Sequence, residues 1–180
     1  MGAPRPPEAA LLFAAVFGAD AAVRGAAMEQ ARARWGAPVL SLAPFPFTQT
    51  DYYAGEMGSG LFKEFHLFGA PFDPAGLPAV KLATNAIEGA LAAAGRRRVN
   101  IDPGYLTLSK VILATTKDYS HRLYLHDGIF AEVTLAWHKG MYYPQPWTYP
   151  DYRIEAVTGF FGRCRAHLRT RPSGGDGPAV

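Results

Sequence analysis

The chain has 180 residues, 49% of them hydrophobic and 18% charged, with 18 Lys and Arg against 15 Asp and Glu. This composition supports a packed core without metal or disulfide, and a net charge of +3 is too small to signal nucleic acid by itself. The single cysteine, Cys164, excludes an internal disulfide, a CxxC pair, and any zinc or iron–sulfur site built on several thiolates, and it suits a reducing, cytoplasmic setting.

Arg5 followed by the apolar run Ala9 to Phe17 imitates a secretory leader, but Pro6, Pro7 and Glu8 interrupt the junction, and Phe17 stands where cleavage wants a small residue. Leu11 to Phe17 instead reads as a strand buried on both faces. Asp20 then offers a helix N-cap, Ala21 to Trp35 places Val23, Ala27, Ala31 and Trp35 every four residues, and Gly36 stands where a C-cap glycine would. Pro38 to Leu42 is a second strand, running into the proline-punctuated Pro44-Phe45-Pro46-Phe47. Leu61 to Phe68 is a third, although Phe62, Phe65 and Phe68 also fit a short helix. Ala75 to Ala94 predicts a second long helix ending at Gly95, and Arg98 to Ile101 a strand that leads into a turn at Pro103-Gly104. Strand, helix, strand, strand, helix, strand is the order of the ferredoxin-like split β-α-β unit.

The second half predicts antiparallel hairpins over Val111 to Thr116, His121 to Leu125, Ile129 to Trp137 and Met141 to Tyr143, turning at Asp127-Gly128 and at Lys139-Gly140. A closing helix spans Tyr152 to Leu168, with Ile154, Val157, Phe160, Phe161, Cys164 and Leu168 on its apolar face. The expectation is one α+β domain over residues 1–171 with a loose tail over 172–180. No apolar run is long enough to span a membrane, so no membrane partner is expected.

Polar residues crowd the strand ends from Asn100 to Arg122, where groups on neighbouring edges can converge on a pocket. Lys110, Lys117 and Arg122 suit an anion, with Asn100 and Thr116 beside them. Asp102, Asp118 and Glu132 offer oxygens to a Mg²⁺ or polarise water, and His121, beside Lys117, Asp118 and Arg122, is a candidate general acid or base, with Asp118 and Lys110 as further catalytic candidates. A glycine-rich stretch bearing Asp51, Tyr52, Tyr53 and Glu56 could close over such a ligand. Lys81, Asn85 and Glu88 share one face of the second helix and read as a solvated stripe. The five histidines lack zinc-enzyme spacing, and no GxxxxGK[ST], GxGxxG or GxSxG element occurs, which removes P-loop, Rossmann and α/β-hydrolase readings.

Pro44-Phe45-Pro46-Phe47, Asp51-Tyr52-Tyr53, Glu56-Met57-Gly58, Val99 through Leu106, Leu108-Ser109-Lys110, Ala114 through Asp118, His121-Arg122 and Thr148 through Tyr152 resemble the bacterial and archaeal family called domain of unknown function 4416. The resemblance covers nearly the whole chain and implies no activity. Members are sometimes labelled GTP-binding proteins, a label that the missing P-loop does not support here. Two expectations follow. One is binding or processing of a small anionic ligand, a nucleotide or phosphate ester, in a pocket between the Asp51 to Glu56 stretch and the Asn100 to Arg122 segment. The other is an RNA-binding module using Arg96, Arg97, Arg98, Arg163, Arg165 and Arg169 along a phosphate backbone.

Overall fold

The structure, a computed structural model, describes residues 2–48 and 57–171. In chain order the elements are β1 (Ala10–Gly18), α1 (Ala21–Trp35), β2 (Pro38–Pro46), β3 (Phe62–Phe72), a 3₁₀ turn (Pro74–Gly76), α2 (Leu77–Ala90), β4 (Asn100–Leu106) and β5 (Lys110–Thr115). They continue with β6 (Leu123–Tyr124), β7 (Phe130–His138), β8 (Met141–Pro144), a second 3₁₀ turn (Pro150–Arg153) and α3 (Glu155–Arg169). All eight strands form one antiparallel sheet in the order β2-β3-β1-β4-β5-β7-β6, with β8 also paired to β7.

β1 lies inside this sheet between β3 and β4, which explains its uninterrupted apolar run. Alternation sends Leu11, Phe13 and Ala15 to one face, where Val157, Phe160, Phe161 and Cys164 of α3 cover them. Leu12, Ala14 and Val16 meet α1 and α2 on the other, against Val23, Ala27, Met28, Ala31, Val80 and Ile87. The sheet is therefore a middle layer, and each helix buries one stripe. Among the described residues, no helix is long and apolar enough to cross a membrane.

The α+β class and the antiparallel sheet with a C-terminal helix are as expected, and α1 has the bounds that its Asp20 N-cap and Gly36 imply. Three local expectations are corrected. Pro103 and Gly104 do not turn the chain but continue β4, because the β4–β5 ladder starts only at Gly104↔Leu113 and so never needs a Pro103 N–H on that side. Gly104 is required there, since a Cβ would overlap the Ile112 carbonyl and the Phe13 ring. α2 stops at Ala90 and not Ala94, because Ala94 and Gly95, both at positive φ, make a tight turn bridged by Ala93 and Arg96. The run His121 to Leu125 keeps only Leu123 and Tyr124 as strand. The turn residues Asp127-Gly128 and Lys139-Gly140 do adopt the paired positive φ that two-residue hairpins demand. The expected tail over 172–180 lies outside the described residues.

Candidate functional site

β4 and β5 pair from Gly104 to Leu106 and then part, so residues 100–103 present an unpaired backbone edge toward the end of β5. α2 supplies what the missing strand would. Glu88 Oε1 accepts the Ile101 N–H at 2.8 Å, and Lys81 Nζ donates to the Ile101 carbonyl at 3.1 Å and to Asp102 at 3.5 Å. The Lys81, Asn85, Glu88 stripe is accordingly turned inward, with Lys81 and Glu88 buried, and not the solvated face its spacing allowed. Burial pushes the Glu88 carboxyl up, helped by nearby Asp102 and opposed by Lys81, the Ile101 N–H and Arg97.

Where the strands part there is a cavity of about 500 Å³. Asn100, Asp102, Lys81, Asn85 and Arg97 line it from the β4 and α2 side, and Leu113 to Lys117 with Tyr119 from the β5 side. Phe17, Phe47, Lys63 and the segment Tyr149 to Tyr152 complete it. Lys63 is buried with its Nζ 2.6 Å from Asp151 Oδ2 and 5.0 to 5.4 Å from the ring centroids of Phe17, Phe47, Phe65 and Tyr152. Arg97 donates to Asn100 Oδ1 at 2.6 Å and approaches Glu88 at 3.4 Å. Two buried polar atoms of the lining, Asn100 Nδ2 and the Tyr152 hydroxyl, have no hydrogen-bond partner among the described residues. Burial pushes the Tyr152 phenol well above its ordinary value, and Asp151 and Asp102 add to that, so it stays neutral.

Behind the β5 wall, Glu132 is buried and its Oε2 accepts from Arg122 at 2.7 Å and lies 3.2 Å from His121 Nε2. Arg122 also donates to the Tyr149 hydroxyl at 2.9 Å and the Lys117 carbonyl at 3.0 Å, while its guanidinium lies 4.5 Å from the Tyr119 ring centroid. Burial opposes the Arg122 charge, but the bonds to Glu132 and Tyr149 outweigh it and raise its pKa. The His121 ring stacks on Trp147 at 5.2 Å. These residues fix the position of Tyr149 and the Thr115 to Lys117 wall.

Of the residues singled out in the sequence, Asn100, Asp102, Thr116 and Lys117 line the cavity. His121, Arg122 and Glu132 stand one layer behind it. Glu132 is not placed as a metal ligand with Asp102: Arg122 and His121 take one oxygen, and the Thr134 hydroxyl lies 3.4 Å from the other. Among the described residues no group of three or more His, Cys, Asp or Glu could hold a metal ion. Asp118 is exposed and outside the lining. Lys110 begins β5, five residues from Thr115 and so roughly 17 Å away along an extended strand, beside Thr107 and Glu8. Asp51, Tyr53 and Glu56 lie outside the described residues.

Sequence reasoning missed Lys63, Tyr149, Asp151 and Tyr152. A signal for Lys63 existed, since strand alternation puts it on the face of Phe65 and Leu67, where a charge is out of place. The arginines expected to form one RNA face are divided. Arg98 pairs with Asp20 at 2.8 Å near α1, whereas Arg163 and Arg165 lie on α3 across the sheet, Arg165 over Trp137 at 3.8 Å.

No curated protein and no solved structure matches the chain. A family model described as Domain of unknown function (DUF4416) matches residues 8–168. The motifs around the cavity and all eight strands of the sheet fall within that match, and the chain belongs to this family.

Proposed function

We propose that the protein binds a small anionic ligand, a nucleotide or phosphate ester, in the cavity between β4 and β5. The observation that carries this reading is the lining: among the described residues it brings the cationic side chains Lys63, Lys81, Arg97 and Lys117 together with the carboxylates Asp102 and Asp151, with Glu88 against Arg97 beside them, in a concave site with aromatic walls. Its volume falls in the range of small-molecule pockets. His121, Arg122 and Glu132 act here as positioning residues that hold Tyr149 and the β5 wall. The unit from β1 to β4 reads as ferredoxin-like, supported by the strand order β2-β3-β1-β4 with α1 and α2 on one face. Buried Cys164, whose thiol burial pushes up, is inert core and suits a reducing cytoplasm.

A thermal-shift screen over nucleotides and sugar phosphates, with and without Mg²⁺, tests the reading. A ligand at a hundred times its Kd adds about 2.7 kcal/mol, a rise of several degrees. Silence from every phosphorylated compound, together with salt-dependent RNA binding that survives Lys81→Ala and Lys117→Ala, would replace the pocket by the arginine-based RNA reading.

A further inference from the structure

The helix layer formed by α1 and α2 stops short of one edge of the sheet. α1 lies on β1, and α2 on β4 and less closely on β5, which leaves Ala131, Val133 and Ala136 of β7 only half-buried on that side. Leu123 of β6 pairs with Ala131 and Tyr143 of β8 with Ala136, and cross-strand partners share a face. Leu123 is 75% exposed, Tyr124 61% and Met141 50%, with Leu125, Tyr143 and Trp147 also exposed along the same edge. Together these six side chains expose the equivalent of about three whole ones, roughly 600 Å² on the scale of 150–250 Å² for a large side chain. That is most of the about 800 Å² that each partner gives to a standard interface.

The strip also has a direction. β6 flanks the start of β7 and β8 its end, and Trp147 sits between them, its Nε1 donating to the Val133 carbonyl at 2.9 Å. Two turns of like backbone and opposite charge bound it: Asp127 at φ 54 before Gly128, and Lys139 at φ 43 before Gly140. β6 has only two residues and β8 ends at Pro144, features that blunt an edge, so side chains and not a backbone ladder carry any contact here.

We propose that this strip docks a second copy of the chain, about a two-fold axis that crosses β7 near Val133. Such an axis exchanges the two ends of the strip, setting β6 of one copy beside β8 of the other and each Asp127 turn beside a Lys139 turn. An axis along the strands would instead bring like charges together. Trp147 then lies near the centre, where a rigid aromatic anchor contributes most. The docking is independent of any ligand between β4 and β5, since none of the six residues lines that cavity.

Sedimentation velocity of the full chain from about 1 to 100 µM tests this, with association expected to reach a dimer and go no further, because a two-fold contact closes on itself. Leu123→Lys, at a side chain the single chain leaves in water, should weaken association at least about tenfold with the far-UV circular dichroism unchanged. Asp127→Lys and Lys139→Asp should each weaken it a few-fold. The double variant exchanges residues between two turns of the same backbone and keeps the wild-type net charge, so it should recover wild-type association. A dimer indifferent to Leu123→Lys, or a double variant no better than the single ones, would overturn the proposal. A monomer at every concentration would overturn it too, and leave the strip to a partner other than this chain.

Discussion

Lys63 carries its charge inside a box of four aromatic rings, with Asp151 as counter-ion 88 residues further along the chain. Each ring face contributes on the order of 0.5–2 kcal/mol to a cation held this way, but the larger effect is the pairing itself. Removing one member of a buried ion pair leaves an uncompensated charge. Lys63→Met should therefore destabilise the fold by about 3–5 kcal/mol in urea denaturation. The double substitution Lys63→Met with Asp151→Leu should recover most of that loss, as apolar replacement of a whole buried pair does. A loss of less than 1 kcal/mol in the single variant would show that the pair is solvated. At this scale the sequence was only partly legible. Asn100, Asp102, Thr116 and Lys117 stood out as polar residues at strand ends, whereas Asp151 and Tyr152 gain their role only from a contact that closes across the sheet.

Elements legible in the sequence were those whose signals are local. Asp20 and Gly36 bound α1, the unbroken apolar run gives β1, and two glycine turns place the β6–β7 and β7–β8 hairpins. What local signals could not reveal is the parting of β4 and β5. Pro103-Gly104 has turn chemistry, and only the neighbouring strands show that it lies in a strand whose ladder ends there. The same gap explains α2, because Lys81 and Glu88 replace the backbone partners Ile101 lacks. That arrangement carries a pH signature. The Glu88 carboxyl is raised above its ordinary 4.5, chiefly by burial, so the folded chain holds this proton at pH values where the unfolded chain has released it. Stability from this group is thus fully present below 4.5 and is lost as pH rises through the folded value. Glu88→Gln keeps an oxygen for the Ile101 N–H and removes the titration. Relative to this variant, wild type should lose stability as pH rises through that window in urea denaturation. A difference between the two that does not change with pH would contradict the buried, raised carboxyl.

Among the described residues, the three-layer arrangement leaves an opening of ligand size where the central sheet divides and the segment leading into α3 folds over it. α1 and α2 cover one face and α3 the other, so cations drawn from β3, α2, the α2–β4 connection and the end of β5 converge at that opening. A cavity was expected at the Asn100 to Arg122 segment, of which Asn100, Asp102, Thr116 and Lys117 line the opening and Lys110, Asp118, His121 and Arg122 do not; β3 and the Tyr149 to Tyr152 segment were not expected there, since their approach depends on strand order. The most direct test is amide NMR on the labelled protein titrated with the phosphorylated compound that gives the largest thermal shift. Saturable shifts are expected at Lys63, Asn85, Asn100 to Asp102, Thr115 to Lys117 and Asp151 to Tyr152, on both sides of the divided sheet. Shifts confined to Arg163, Arg165 and Arg169 on α3, with the β4 and β5 amides unmoved, would contradict a binding site between those strands.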